Sequence, residues 1–284
     1  MKKAAVKLEI DCERTTNLIT EFIRTRVHVA GVNGVVVGIS GGIDSTVITY
    51  LCVKALGPEK VLGVLLPESS TSSSDVNDAE DVAKILGIRS NKIYIDPLVK
   101  NVCQLLPDHI KTKSKLVIGN VKARLRMVIL YALANDTRSL VIGTGNKTEI
   151  MVGYTTKFGD GACDINPIGD LYKTQVRQLA KYLGIPDDIV TKEPSAGFWP
   201  GQTDEGDLGI TYDILDLILN GIERWDNVSE ICRNTGIPKK EVLRVTHLIR
   251  HSEHKRQPPV VLKLSYRTSG IDWLLPQTKG KSTD

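Results

Sequence analysis

The stretch GISGGIDST, residues 38–46, constrains the fold more than any other part of the chain. It follows the apolar run Gly34-Val35-Val36-Val37 and leads into Val47-Ile48-Thr49-Tyr50-Leu51. That order reads as a buried strand, a glycine-hydroxyl loop and a helix. A loop at a helix N-terminus presents unpaired backbone N–H groups and the positive end of the helix dipole, which together favour an anion. Gly41 and Gly42 let the backbone come close to that anion, and Ser40, Ser45 and Thr46 add hydroxyl donors. The loop lacks the GxxxxGKS/T spacing and its lysine. It carries Asp44 instead, and a carboxylate facing phosphate is repulsive unless a divalent cation lies between them. The loop therefore predicts a phosphate cradle with bound Mg2+.

The rest of the chain supplies a matching frame. Apolar positions at helical spacing predict a helix over 7–28 ahead of strand 34–39. Helix 45–56 stops at Gly57-Pro58. Strand 61–66, a polar loop at 67–74, helix 74–87, strand 92–96, helices 97–109 and 117–135, and strand 139–143 follow. Apolar strands alternating with helices predict an α/β fold, a doubly wound parallel sheet with ligands at the carboxyl ends of the strands. Residues 144–168 and 192–209 read as long polar loops, the second of them mobile, and loops of that length tend to be functional. Helices at 170–183, 210–220, 226–235 and 238–254 form a helical C-terminal extension. The expectation is one domain over 1–262 and an extended, partly disordered tail over 263–284 that ends in KGKSTD.

Bulk properties narrow the class. A net charge of +4 over 284 residues, with no concentrated basic face, argues against a nucleic-acid partner. No apolar run reaches membrane-spanning length, and the N-terminus lacks a signal-like core, so the expected setting is cytoplasmic. The five cysteines, at 12, 52, 103, 163 and 232, contain no CxxC pair, which argues against a disulfide framework or a zinc site. Cys52 reads as core and Cys163 as a bystander in a polar loop.

Two further clusters carry chemistry. GNVKARLRM, residues 119–127, sets Lys122, Arg124 and Arg126 near a helix start. Arg124 and Arg126 lie about half a turn apart, so they face different ways, and one is free to reach a phosphate or carboxylate. In TGNKTE, Thr144 follows a strand end, and Glu149 can give a second carboxylate to a cation shared with Asp44. Downstream, Lys157, Asp160, Asp164, Asp170 and Lys173 alternate in sign through a glycine-rich stretch.

The SGGxDS loop resembles that of the N-type ATP pyrophosphatases. GISGGIDST, GNVKARLRM, GTGNKTE, GYTTKFGDGACDINPIGDLYKTQVRQLA, KEPSAGFWPGQTDE and SEHKRQPP, taken in order, resemble the motifs of the ammonia-dependent NAD synthetases, in their archaeal form. The resemblance implies an adenine nucleotide alpha-hydrolase-like fold and a C–N bond-forming ligase. Its substrates would be ATP, deamido-NAD and ammonia, and the reaction would pass through a NAD-adenylate and release AMP and pyrophosphate. By motif match, Gly38, Ile39, Ser40, Gly41, Gly42, Ile43, Asp44, Ser45, Thr144, Lys173 and Ser195 fall on ATP positions. Arg124, Lys157, Asp164, His254 and Lys255 fall on deamido-NAD positions, and Asp44 with Glu149 on the Mg2+ site. The catalytic expectations are Asp44 through the metal, Asp164 orienting or deprotonating ammonium, and Lys173 neutralising phosphate charge.

The resemblance also implies a homodimer, with the helices at 7–28 and 117–135 as candidate contacts. Residues 1–33 are too short for the amidase domain of glutamine-dependent relatives, so free ammonia is the expected donor, with no fused glutaminase. A GMP-synthetase-like or tRNA-modifying pyrophosphatase and a nucleotide sensor without turnover are the alternatives. The first would share the loop but not YTTKFGDG, and the second would have no need of both Asp44 and Glu149.

Overall fold

A computed structural model describes residues 8–107, 114–199, 201–270 and 272. Four parallel strands form the central sheet: β1 (Gly34–Gly38), β2 (Val61–Leu65), β3 (Arg89–Lys92) and β4 (Ser139–Ile142), in the order β3-β2-β1-β4. The register pairs Val36 with Leu62 on one side and with Val141 on the other. β1 is therefore central, and the chain leaves it toward β2 but returns to its other flank as β4. A crevice opens at that reversal, at the carboxyl ends of the strands.

Alternation along β1 builds two cores. Val35 and Val37 face α1 (Cys12–Ala30), α2 (Ile43–Leu56) and a later helix, packing with Ile23, Ile48, Leu51 and Leu179. Val36 faces the opposite side with Leu62, Val64 and Val141. α3 (Ser73–Ile85) packs on the first side. α4 (Asp96–Leu105) and α5 (Lys115–Thr137) cover the second. Full burial of a side chain such as Ile48 or Leu51 contributes about 1.5–3 kcal/mol. The remaining helices are α6 (Lys147–Val152), α7 (Lys173–Tyr182), α8 (Asp187–Thr191), α9 (Asp204–Leu208), α10 (Tyr212–Glu223), α11 (Val228–Thr235), α12 (Lys239–His251) and α13 (Glu253–Arg256). Tyr212, Leu215, Ile218 and Leu219 of α10 centre a third core with α6, α11 and α12. Among the described residues no helix is long and apolar enough to cross a membrane.

Several boundaries differ from the sequence reading. The third strand is Arg89–Lys92, not 92–96, and all four of its residues are exposed. It is an edge strand, so it needs no apolar face. The apolar signal came from Ile93 and Ile95 beyond it, whose N–H groups still bond Leu65 O and Pro67 O at 2.9 and 3.0 Å. α2 begins at Ile43, two residues early, which brings Asp44 into its first turn. The stretch 144–168 is not all loop. It contains α6, a six-residue helix started by a capping box in which Asn146 and Glu149 bond each other's backbone N–H. α9 likewise interrupts 192–209. The helix expected at 170–183 starts only at Lys173, and that expected at 238–254 breaks at Ser252 into α12 and α13. Residues 108–109 of the expected helix 97–109 and the KGKSTD tail lie outside the described residues.

Candidate active site

The loop after β1 is tied into a fixed shape by its own hydroxyls. Ser45 Oγ donates to Gly42 O at 3.0 Å and accepts from Ser40 N at 3.2 Å. Thr46 Oγ1 donates to Gly42 O at 2.9 Å. Gly41 has φ +79°, and a Cβ there would lie 2.2 Å from the Asp75 carbonyl oxygen. Only glycine fits that left-handed, close-packed position. The loop opens on a cavity of about 360 Å3 in the crevice of the sheet. Gly38, Ile39, Ser40, Gly42, Ile43, Asp44 and Ser45 line it, while Gly41 turns toward Asp75 and shapes the loop from behind. Thr144, Lys173 and Ser195 line the same cavity, so three distant segments of the expected ATP set converge.

At its deep end, three charged groups from three elements meet. Lys173, 1% exposed at the start of α7, donates Nζ to Asp44 Oδ2 and, at 3.2 Å, to Glu149 Oε1. Asn146, fully buried, donates Nδ2 to Asp44 Oδ1 at 3.0 Å while its Oδ1 accepts from Glu149 N at 3.0 Å. Glu149 Oε2 in turn accepts from Asn146 N at 3.1 Å. Burial works against the Lys173 ammonium, but the charges of Asp44 and Glu149 outweigh it and hold its pKa above the usual lysine range. Burial pushes Glu149 up to about 8, with Lys173 drawing it down and Asp44 adding to the rise. Two carboxyl groups thus share one ammonium in a poorly solvated corner, and a hard cation arriving there would favour ionised Glu149 beside Asp44. Asp204 lies alongside at 4% exposure, its Oδ2 accepting from Tyr212 Oη at 2.9 Å.

The 192–209 segment is pinned over the cavity. Lys192 bonds Asp75 at 2.6 Å and also Asp78, on α3. Lys122 donates to Phe198 O at 2.9 Å, Gln202 Oε1 accepts from Phe198 N at 2.8 Å, and Asp204 N bonds Pro194 O at 2.9 Å. Lys122 also pairs with the buried Glu68 at 2.5 Å.

α5 presents a stripe to the 156–164 turn. Asn120 accepts from Thr156 Oγ1 at 2.8 Å, Arg124 donates Nε and Nη2 to Lys157 O at 3.3 Å, and Tyr131 Oη bonds Asp164 at 3.3 Å. Arg126 points the other way, lining the cavity and donating to Leu66 O at 3.0 Å. The two arginines do face apart, and the inward one is Arg126. Lys157 Nζ reaches His254 O at 2.6 Å. Arg124, Lys157 and His254 thus form a linked group on the exposed rim, outside the cavity lining. Lys255 spends its ammonium on Gly153 O and Thr155 O, at 2.6 and 2.7 Å.

Asp164 is exposed, and its Oδ2 accepts from Val141 N at 2.7 Å at the sheet edge. The carboxylate of this turn that lines the cavity is Asp160. Asp160 is exposed on its open side as well, accepts from Thr156 N at 2.8 Å, and has its pKa raised by the partial desolvation of the cavity wall. Sequence reasoning assigned no role to Asn146, Asp160 or Asp204. The capping-box spacing from Asn146 to Glu149 was a legible signal for the first of them. For the other two, only the folded turns decide which carboxylate faces inward.

A family model described as NAD synthase matches residues 15–259. The chain is 50% identical over 251 residues to an NH3-dependent NAD+ synthetase of Methanocaldococcus jannaschii, an alignment covering 87% of this chain and 95% of that protein. Among solved structures, NMN synthetase from Francisella tularensis is similar with a TM-score of 0.79 at 34% identity, over 89% of this chain and 99% of that one. NH3-dependent NAD synthetase from Campylobacter jejuni gives a TM-score of 0.77 at 29% identity, over 90% and 100%.

Proposed function

The chain belongs to the NAD synthase family, and from that membership we propose how this site makes NAD from deamido-NAD, ammonia and ATP. The reaction is a C–N ligation. The nicotinate carboxylate attacks the α-phosphorus of ATP and expels pyrophosphate, then ammonia attacks the activated carbonyl carbon and AMP leaves. The observation that carries the site assignment is the meeting of Asp44, Glu149 and Lys173 at the floor of the hydroxyl loop.

In this reading residues 38–45 hold the ATP phosphates, with Thr144 and Ser195 lining the same cavity. Asp44 and Glu149 would hold Mg2+, since both turn hard carboxyl oxygens toward the Lys173 ammonium at one point. The chemistry such an ion would supply is neutralisation of charge on the pyrophosphate leaving group. Lys173, fixed and charged, adds a second cation where phosphate charge develops. Arg124, Lys157 and His254 receive deamido-NAD on the rim, with Asp164 ordering the turn beside them and Lys255 fixing its base. Asp160, facing the cavity, is better placed than Asp164 to bind ammonium and take its proton.

The rim group is open on one side, and α5 beside it leaves Leu116 and Val128 61% and 56% exposed, with Leu105 of α4 at 86%. A second copy packing there would cover this apolar face and close the substrate site, which supports a homodimer. Five free thiols fit a cytoplasmic setting.

The test is pyrophosphate release from ATP and Mg2+ with and without deamido-NAD, followed by NAD formation on adding ammonium. Release that depends on deamido-NAD, and NAD that depends on ammonium, is the expected result. The likeness to an NMN synthetase makes the deamidated mononucleotide the second acceptor to run. A preference for it would overturn the dinucleotide assignment and leave the adenylating site intact.

A further inference from the structure

Asp216 lies on α10, fully buried and away from the cavity lining. Its Oδ1 accepts from Thr148 Oγ1 at 2.5 Å, and its Oδ2 accepts from Thr174 N at 2.9 Å. Thr148 Oγ1 also accepts from Lys173 N at 2.9 Å. One carboxylate therefore gathers the first turn of α6 and the first turn of α7. Thr148 directly precedes Glu149, and Thr174 directly follows Lys173.

These helices have six and ten residues, too short to hold their own geometry in water. Their relative placement has to come from tertiary bonds. α10 touches the same corner a second time, where Tyr212 lies under the Lys173 ammonium at 5.1 Å and bonds Asp204. A negative charge at the start of α7 is favourable to its dipole and makes stronger hydrogen bonds than a neutral acceptor would.

We infer that Asp216 is a positioning residue for the ligation: it locks the first turns of α6 and α7 together so that Glu149 and Lys173 meet on Asp44. The inference rests on the site reading above. It makes the C-terminal helical region a structural part of the adenylating centre, acting through Thr148.

The test compares Asp216→Asn, Thr148→Val and Thr148→Ser with Ile218→Val, a core truncation on the same helix that leaves these bonds alone. Three quantities are read: kcat for NAD formation, Kd for ATP with Mg2+ by calorimetry, and the unfolding midpoint. Asp216→Asn and Thr148→Val are each expected to lower kcat about 10–100-fold, the range seen when residues supporting a metal site are lost. The double variant should lose less than the product of the two single effects, because both remove the shared Thr148–Asp216 bond. Thr148→Ser, which keeps the hydroxyl, should recover the activity, and Ile218→Val should lower the midpoint with kcat unchanged. Additive effects, or variants that behave like Ile218→Val, would overturn the inference. If Asp216→Asn does not fold, the Thr148→Val and Thr148→Ser pair decides alone. If the wild type binds ATP but makes no NAD, the proposed reaction fails. Asp216 is then judged on ATP affinity, which Thr148→Val should weaken about tenfold and Thr148→Ser should not.

Discussion

Asn146 donates its side-chain amide to Asp44 at 3.0 Å, joining two helix starts that lie 102 positions apart in the chain. The same side chain caps α6 through its oxygen, so one residue aims the loop carboxylate and starts the helix that carries Glu149. Asn146→Ser should separate the two roles. Serine keeps the cap, so the unfolding free energy should fall only by the cost of the unpaired Asp44 oxygen, about 1–3 kcal/mol. It loses the amide, so kcat/KM for ATP should fall about 10–100-fold. An activity loss that only tracks the stability loss would refute the bridging role.

Lys173→Met leaves Asp44 and Glu149 facing each other in a buried corner with no cation. Breaking one side of a buried charge cluster costs about 3–5 kcal/mol, so the apo protein should unfold at markedly lower denaturant. Mg2+ should restore part of that loss, because it supplies the missing positive charge where both carboxylates converge. Equal Mg2+ responses in wild type and variant, read from denaturation midpoints, would count against a metal site at these two residues.

Gly41→Ala tests the loop geometry. The methyl would sit 2.2 Å from the Asp75 carbonyl oxygen, at a φ of +79°. Strain of this kind costs about 1–3 kcal/mol at least. Relief requires the loop to move off α3, so ATP affinity measured by calorimetry should drop more steeply than global stability. Unchanged affinity would mean that the phosphate loop tolerates the shift.

Asp160→Asn and Asp164→Asn divide the ammonium role. Asp160 faces the cavity with its pKa raised by desolvation, whereas Asp164 is bonded to Val141 N at the sheet edge. Asp160 has to be ionised to hold ammonium or take its proton. Since its pKa is raised, activity with ammonium should fall as the pH drops toward a value above the ordinary carboxylate range, and Asp160→Asn should abolish that limb. In that variant kcat/KM for ammonium should drop about 10²–10⁴-fold while KM for ATP changes little. The same profile from Asp164→Asn, with Asp160→Asn near wild type, would return the role to Asp164.

Much of this site was legible before folding, because its parts are local. The strand, loop and helix at 34–56 follow from apolar runs and from glycine and hydroxyl spacing, and the alternation of strands and helices fixes where such a loop must open. What failed was local in another sense. Arg89–Lys92 is a strand with four exposed residues, so no apolar period marked it. α6 is six residues, three polar and three apolar, too short to show a helical period, and its local signal is its capping box.

The sequence by itself determined the parallel α/β frame and the glycine-hydroxyl loop, because each rests on residue types and spacings within short segments, while the expected pairing of Asp44 with Glu149 rested on both following the carboxyl ends of strands. Only the tertiary structure decided that Lys173 lies between those carboxylates, that Asn146 and Asp216 brace them, and that Asp160 rather than Asp164 lines the cavity. Those choices depend on side chains brought together from distant segments in a core where each buried polar group needs a partner, and no periodicity along the chain records which partner it finds.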